Sequence, residues 1–159
     1  MTAVVLAKTE DATQFAAVHA EAFPAQEAWS EKSFAGLLIL PSTLALMIER
    51  NGQADAILLI QKTPDTAEIL TIAVDPAAQR RGRARQLIFA AAQLLGQSGQ
   101  EKFLLDVAAD NKGALALYQA LGFKQDGRRR AYYRREGVGP VDAVLMSRPV
   151  AGQIGRDKA

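Results

Sequence analysis

Cysteine is missing from all 159 residues. That excludes disulfides, thiolate metal sites and a cysteine nucleophile, and it agrees with a reducing cytoplasm as the expected location. His19 is the only histidine, and a lone imidazole builds neither a catalytic triad nor a histidine metal site, so a structural role is expected for it and no metal. Long hydrophobic runs are also missing. The longest candidates, residues 37–40 and 56–60, fall far short of the roughly 20 residues of a membrane helix, so no membrane partner is expected. The first residues carry neither a basic region nor a long apolar stretch, and no secretory signal is expected. There is no internal repeat, linker or low-complexity block. What is present is ordinary for a soluble domain: 49% hydrophobic and 23% charged residues, in a length that suits one domain of roughly 100–200 residues. The expected division is a folded unit over 1–150 and a frayed polar tail over 151–159.

Charge is small in sum but uneven in place. Residues 1–75 hold 4 Lys/Arg against 10 Asp/Glu, whereas residues 76–159 hold 15 against 7. Nine of the twelve arginines fall in two short segments, 80–85 and 128–135. Such clustering suggests a polyanionic partner, either nucleic acid or a phosphorylated cofactor, unless folding intermixes the two halves.

Periodicity gives the elements. Phe15, Val18, His19, Ala22 and Phe23 stand at helical spacing before Pro24. Ser30 suits the N-cap of a second helix that ends by Pro41. Apolar runs over 43–49 and 54–61 flank Asn51-Gly52, a strong hairpin signal because both residues accept positive φ. A third run, 68–74, stops at Asp75-Pro76. A helix is expected over 82–97, a buried strand over 102–108, a helix over 111–121, and strands over 123–133 and 141–147. The order predicts a mixed, mostly antiparallel α/β sheet with helices on both faces.

The most informative stretch runs from Ile72 to Arg85, where a strand ending Val74-Asp75-Pro76 leads through Gln79-Arg80-Arg81-Gly82-Arg83-Ala84-Arg85 into a helix. A glycine-containing basic turn there aims backbone N–H groups and the positive end of a helix at one spot, which suits phosphate. Gly82 lets an anion approach the backbone, and the arginines add forked donors. Neither a P-loop nor a dinucleotide fingerprint is present. Taken alone, the turn reads equally well as a basic helix start facing water.

Further along, Asn111-Lys112-Gly113-Ala114-Leu115-Ala116-Leu117-Tyr118-Gln119-Ala120-Leu121-Gly122-Phe123 resembles the N-x-x-A-x-x-L-Y-x-x-x-G-F segment of the GNAT acetyltransferase superfamily. The stretch around Gln79–Ala84 resembles that family's motif A, in the expected order and separation. The likeness spans about residues 8–150 and extends to Phe23-Pro24, Trp29–Phe34, Ala131-Tyr132-Tyr133 and Asp142–Met146. It implies a single GNAT-type domain with a splayed central strand pair and acetyl-CoA as co-substrate. It also implies that Arg80, Arg81, Gly82, Arg83, Ala84 and Arg85 wrap the CoA diphosphate, largely through backbone amides, with Asn111 as a further contact. Ile72, Ala73 and Val74 are implied to hold pantetheine and thioester by strand-like bonds, with a bulge freeing the Val74 N–H for the carbonyl oxygen.

The resemblance further implies a general base at Asp106, where N-terminal acetyltransferases of the family carry Glu, and a leaving-group acid at Tyr118, twelve residues on. Asp is one methylene shorter, so Asp106 is expected to reach the amine through water or to leave proton removal to another group. The competing assignments are a turn-capping carboxylate for Asp106 and plain packing for Tyr118. Trp29, Tyr132 and Tyr133 are implied to line an acceptor groove, although strand alternation would put the two tyrosines on opposite faces. The implied reaction moves acetyl to a protein N-terminal amine, with ribosomal protein S18 among the candidate partners. A small amine, a lysine side chain, or a non-catalytic acyl-CoA sensor remain as alternatives. Nucleic acid is not expected as a partner, because no zinc, RRM, KH or basic-zipper pattern accompanies the arginines. A monomer or weak dimer is expected.

Overall fold

Asn51 and Gly52 take φ of 54° and 78°, so the chain reverses in two residues between β2 (Thr43–Arg50) and β3 (Gln53–Lys62). Positive φ at both central positions matches the twist of the flanking strands. The computed structural model describes residues 2–135 and 137–152; most of the polar tail expected from the sequence lies outside them. Around this hairpin stand β1 (Thr2–Leu6) and β4 (Thr66–Val74), followed by β5 (Lys102–Ala108), β6 (Lys124–Arg135) and β7 (Gly139–Pro149). They form one sheet in the order β1-β2-β3-β4-β5-β7-β6, in which β4 and β5 pair parallel and every other pair is antiparallel. The sequence reading missed β1, an edge strand of five residues whose apolar run carries no turn signal behind it.

Helices cover both faces, as expected. On one face α1 (Ala12–Ala22) and α2 (Glu31–Leu38) pack Phe15, Val18 and Phe34 onto Ala45, Met47, Ile57, Leu59 and Ala73. The Ser30 hydroxyl accepts from the Ser33 N–H at 3.1 Å and starts α2. On the other face α3 (Arg83–Ser98) and α4 (Lys112–Ala120) set Leu87, Ile88, Leu95 and Tyr118 against Leu58, Ile60, Phe103, Leu105 and Val144. Each fully buried Leu, Ile or Phe contributes about 1.5–3 kcal/mol through lost apolar exposure.

The sheet is divided in its middle. β4 and β5 are paired only from Thr66–Lys102 to Ile69–Leu105. At the same point the β3–β4 register shifts, with Leu59 opposite Thr71 and Ile60 opposite Ile69, so Leu70 is an extra residue. A bulge bends its strand and raises the local twist, and beyond Leu70 the two parallel strands part.

His19, 1% exposed, fastens α1 to this region. Its Nδ1 accepts from the Trp29 N–H at 3.1 Å, which leaves the proton on Nε2 to donate to Thr71 Oγ1 at 3.1 Å. The ring stacks on Phe23 with centroids 4.2 Å apart. Burial lowers its pKa from 6.5 to about 4. The unfolded chain therefore binds a proton between those values that the folded chain refuses. The stability tied to His19 is complete above about pH 6.5 and is lost as pH falls toward 4. Between about pH 7 and pH 5 this amounts to about 2 kcal/mol. Urea unfolding at the two pH values should show a loss of that size beyond the loss in His19→Gln. Equal slopes in both proteins would remove His19 from the balance.

Candidate active site

Asp75 follows β4 and caps the short 3-10 turn Pro76–Ala78, accepting from the Ala77 N–H at 2.9 Å. The Gln79 amide donates to the Val74 carbonyl at 3.2 Å. Arg80 and Gly82 then both take left-handed backbone, φ 64° and 74°. Gly82 is the N-cap of α3 and offers no capping side chain, so the first N–H groups of that helix keep their donors for an anion. Arg80 and Arg81 are exposed and Arg85 is half-buried.

Arg83 behaves differently from its neighbours. Its side chain is 9% exposed and turns inward to Asp55 of β3, Nε to Oδ2 3.4 Å. Its guanidinium is thus turned away from the surface on which Arg80 and Arg81 are exposed, while its backbone N–H lies in the first turn of α3. Gly82→Val would force a β-branched residue to positive φ, at a cost of about 1–2 kcal/mol. The expected result is a rise of about tenfold or more in the acetyl-CoA KM with the fold retained; an unchanged KM would remove the turn from cofactor binding.

Backbone pairing places the next donors. The Asp75 N–H donates to the Asp55 carbonyl at 2.8 Å. Antiparallel ladders alternate bonded and non-bonded pairs, so Ala73 spends its N–H and C=O on Ile57 of β3. Ile72 and Val74 lie opposite Leu58 and Ala56 in the non-bonded pairs and point their N–H groups into the split. On the far side the Ala109 N–H donates to the Asp142 carbonyl at 2.8 Å. By the same alternation Asp106 and Ala108 turn their backbone groups toward β4. The Ala108 carbonyl accepts from the Asn111 N–H at 2.9 Å and the Ile69–Leu105 pairing takes the Asp106 N–H, so β5 leaves the Asp106 C=O and the Ala108 N–H unspent, across the gap from the Ile72 and Val74 N–H groups. Of the expected trio, Ile72 and Val74 have donors free for a ligand, and Ala73 contributes only its side-chain position.

Asp106 is half-buried. Phe103, Leu105 and Val107 point to the α3/α4 side, so Asp106 points to the opposite face. There α1 and α2 cover β2–β4, while no described residue of β5, β7 or β6 belongs to their cluster. Asp106 therefore stands at the edge of the split, outside the part of the sheet that α1 and α2 cover. Among the described residues its carboxylate forms no turn cap, hydrogen bond or ion pair. Tyr118, 6% exposed, sits on α4 with its ring edge-on to Phe123 at 5.6 Å. Burial, and secondarily the charge of the nearby Tyr133 phenol, push the Tyr118 phenol well above its ordinary value of 10. It keeps its proton as a hydrogen-bond donor. The Asn111 carboxamide oxygen caps α4, accepting from Ala114 N–H at 3.1 Å, and its NH₂ is left for a ligand.

Tyr132 and Tyr133 do not split between faces. Their rings meet edge to face at 5.1 Å, because three residues, 130–132, oppose Asp142 alone between the pairs Arg129–Ala143 and Tyr133–Val141. Trp29 is half-buried, packed on His19 and Phe34 at 5.3 and 5.4 Å. The two arginine segments fall at one end of the sheet. Val107 pairs with Val144 and that with Arg128, beside the open ends of β4 and β5 where Arg80–Arg85 begin α3.

A parted parallel strand pair beside a helix N-terminus with no capping side chain is an arrangement that can receive an extended arm bearing an anion. The chain belongs to the acetyltransferase (GNAT) family, whose model matches residues 7–123. It is 37% identical over 132 residues to the [ribosomal protein bS18]-alanine N-acetyltransferase of Escherichia coli K12, covering 83% of this chain and 85% of that one. It is 34% identical over 142 residues to the N-alpha-acetyltransferase RimI of Mycobacterium tuberculosis, covering 87% and 86%. The crystal structure of the E. coli ribosomal-protein-S18-alanine N-acetyltransferase superposes with a TM-score of 0.87 at 31% identity, over 100% of this chain and 99% of that one. The protein is an acetyl-CoA-dependent N-acetyltransferase. The free N–H groups of Ile72, Val74 and the α3 turn suit that co-substrate, and no cluster able to hold a metal occurs among the described residues.

Proposed function

We propose that this enzyme acetylates the α-amine of a protein N-terminus, with the N-terminal alanine of ribosomal protein bS18 as the acceptor, and that it does so in the cytoplasm. The observation that carries the acceptor is the 37% identity with the E. coli bS18-alanine enzyme across five-sixths of both chains. The face beside Asp106, beyond the part that α1 and α2 cover and with Tyr132 and Tyr133 along its rim, offers an extended peptide a surface at the end of the split.

Bound acetyl-CoA supplies a thioester, which is open to attack by an amine. In this reading the backbone of residues 80–85 holds the diphosphate and Ile72 aligns the arm. The Val74 N–H donates to the carbonyl oxygen and stabilises the charge that gathers there. Asp106 takes the ammonium proton, through one water because its side chain is short. Tyr118 donates a hydrogen bond to the departing sulfur. A thiol of ordinary pKa about 8.5 is more acidic than this phenol, so Tyr118 stabilises the thiolate and retains its own proton, and the second proton that the nitrogen sheds as the amide forms passes to that thiolate. The test offers acetyl-CoA with an Ala-starting peptide, its N-blocked lysine analogue and a polyamine. Acetyl should appear on the α-amine alone; acetylation of only the blocked lysine peptide or the polyamine would assign another acceptor class, and no product with any of them would favour an acyl-CoA sensor.

A further inference from the structure

The β6–β7 pair contains an irregularity that the acetyl-transfer steps do not use. Ala131 holds φ of 52°, a left-handed conformation that a residue with a Cβ adopts at a cost of order 1 kcal/mol or more and keeps only where its surroundings impose it. Asp142 imposes it. One carboxylate oxygen accepts from the Ala131 N–H at 3.0 Å, and the other pairs with Arg128 at 3.3 Å. The ion pair is open to solvent, its side chains 51% and 34% exposed, so it is worth little by itself. The bond to Ala131 is the one that shapes the bulge. The bulge places the Tyr132 ring against Tyr133 at 5.1 Å and under Arg129 at 5.4 Å; an unbroken strand would send the two phenols to opposite faces. The main-chain carbonyl of the same Asp142 receives the Ala109 N–H at 2.8 Å, just beyond the end of β5 that bears Asp106.

We infer that Asp142 is a positioning residue for the acceptor, locking the residue 130–132 bulge so that Tyr132 and Tyr133 present one joint surface beside the end of β5. Asp142 touches no reacting atom; it acts through Ala131, and the inference rests on the reading of this face as a peptide site. Three consequences separate it from a general structural role. Asp142→Ala should raise the KM for an Ala-starting peptide by about tenfold or more, with the acetyl-CoA KM and kcat within about twofold. Asp142→Asn, whose carbonyl can still accept from Ala131, should stay within about threefold of the parent although the Arg128 pair is gone. Adding Ala131→Gly to Asp142→Ala should recover a large part of the loss, because glycine takes positive φ without strain.

The experiment is steady-state kinetics on these three variants, joined to hydrogen exchange at the Ala131 amide of the parent, which needs no variant to fold. Protection of that amide in the parent and its loss in Asp142→Ala is the expected result. An Ala131 amide exchanging at the free-chain rate overturns the inference, as does a loss in Asp142→Ala that falls on acetyl-CoA or kcat, or one that Asp142→Asn shares in full. A parent active on the peptide with an indifferent Asp142→Ala would end this inference alone. A parent inert on every N-terminus would end the proposed acceptor as well.

Discussion

Tyr118→Phe should lower kcat by more than about tenfold while acetyl-CoA binding measured by calorimetry stays as it is. The substitution removes one oxygen from a side chain that is 6% exposed and packed against Phe123, so the helix–sheet contact survives it. What is lost is a donor whose proton is held firmly by burial and by the neighbouring Tyr133. A charge-stabilising donor in a site shielded from water typically accounts for two orders of magnitude or so in rate, and less where water can replace it. The raised pKa carries a second consequence: Tyr118 stays protonated past pH 10, its ordinary value, so it contributes no alkaline fall in kcat below that point. Unchanged turnover in Tyr118→Phe would return this residue to packing alone.

Asp106→Ala should cost about a hundredfold in kcat/KM, the lower range for removal of a positioned base. The carboxylate is half-buried at the lip of the gap between β4 and β5, and it has no structural partner among the described residues. Its removal therefore leaves nothing unsatisfied, and the fold should unfold at nearly the parent temperature. Asp106→Glu restores the missing methylene and should hold activity within a few-fold, trading a water-bridged contact for a direct one. Equal activity in Asp106→Ala and the parent would move proton removal to another group.

How much of this was legible in the sequence depended on the range of the interaction. Asn51-Gly52, Ser30, Asp75-Pro76 and the periodicity of Leu87, Ile88, Ala91 and Leu95 act within a few residues, and the elements they mark appear where they were expected. The parting of β4 and β5 came only from the family resemblance. Its local trace is the double apolar step Ile69-Leu70, where alternation slips, and it is faint because a slip between two apolar residues changes no composition. The inward turn of Arg83 was hidden, because its partner Asp55 lies on another strand and the four arginines look alike in the chain. The contact of Tyr132 with Tyr133 was missed because nothing about alanine announces a left-handed residue. The side chain that accepts from the Ala131 N–H stands eleven positions away, in Asp142. His19 was expected to be structural and is, but its two hydrogen bonds join α1 to segments distant in the chain.

The most direct test is a crystal structure of the protein with coenzyme A. The diphosphate should lie on the backbone amides of residues 80–85, and the pantetheine arm should run between β4 and β5 with its amides bonded to Ile72 and Val74. A coenzyme bound elsewhere, or an arm that leaves the Ile72 and Val74 amides unbonded, would contradict the account.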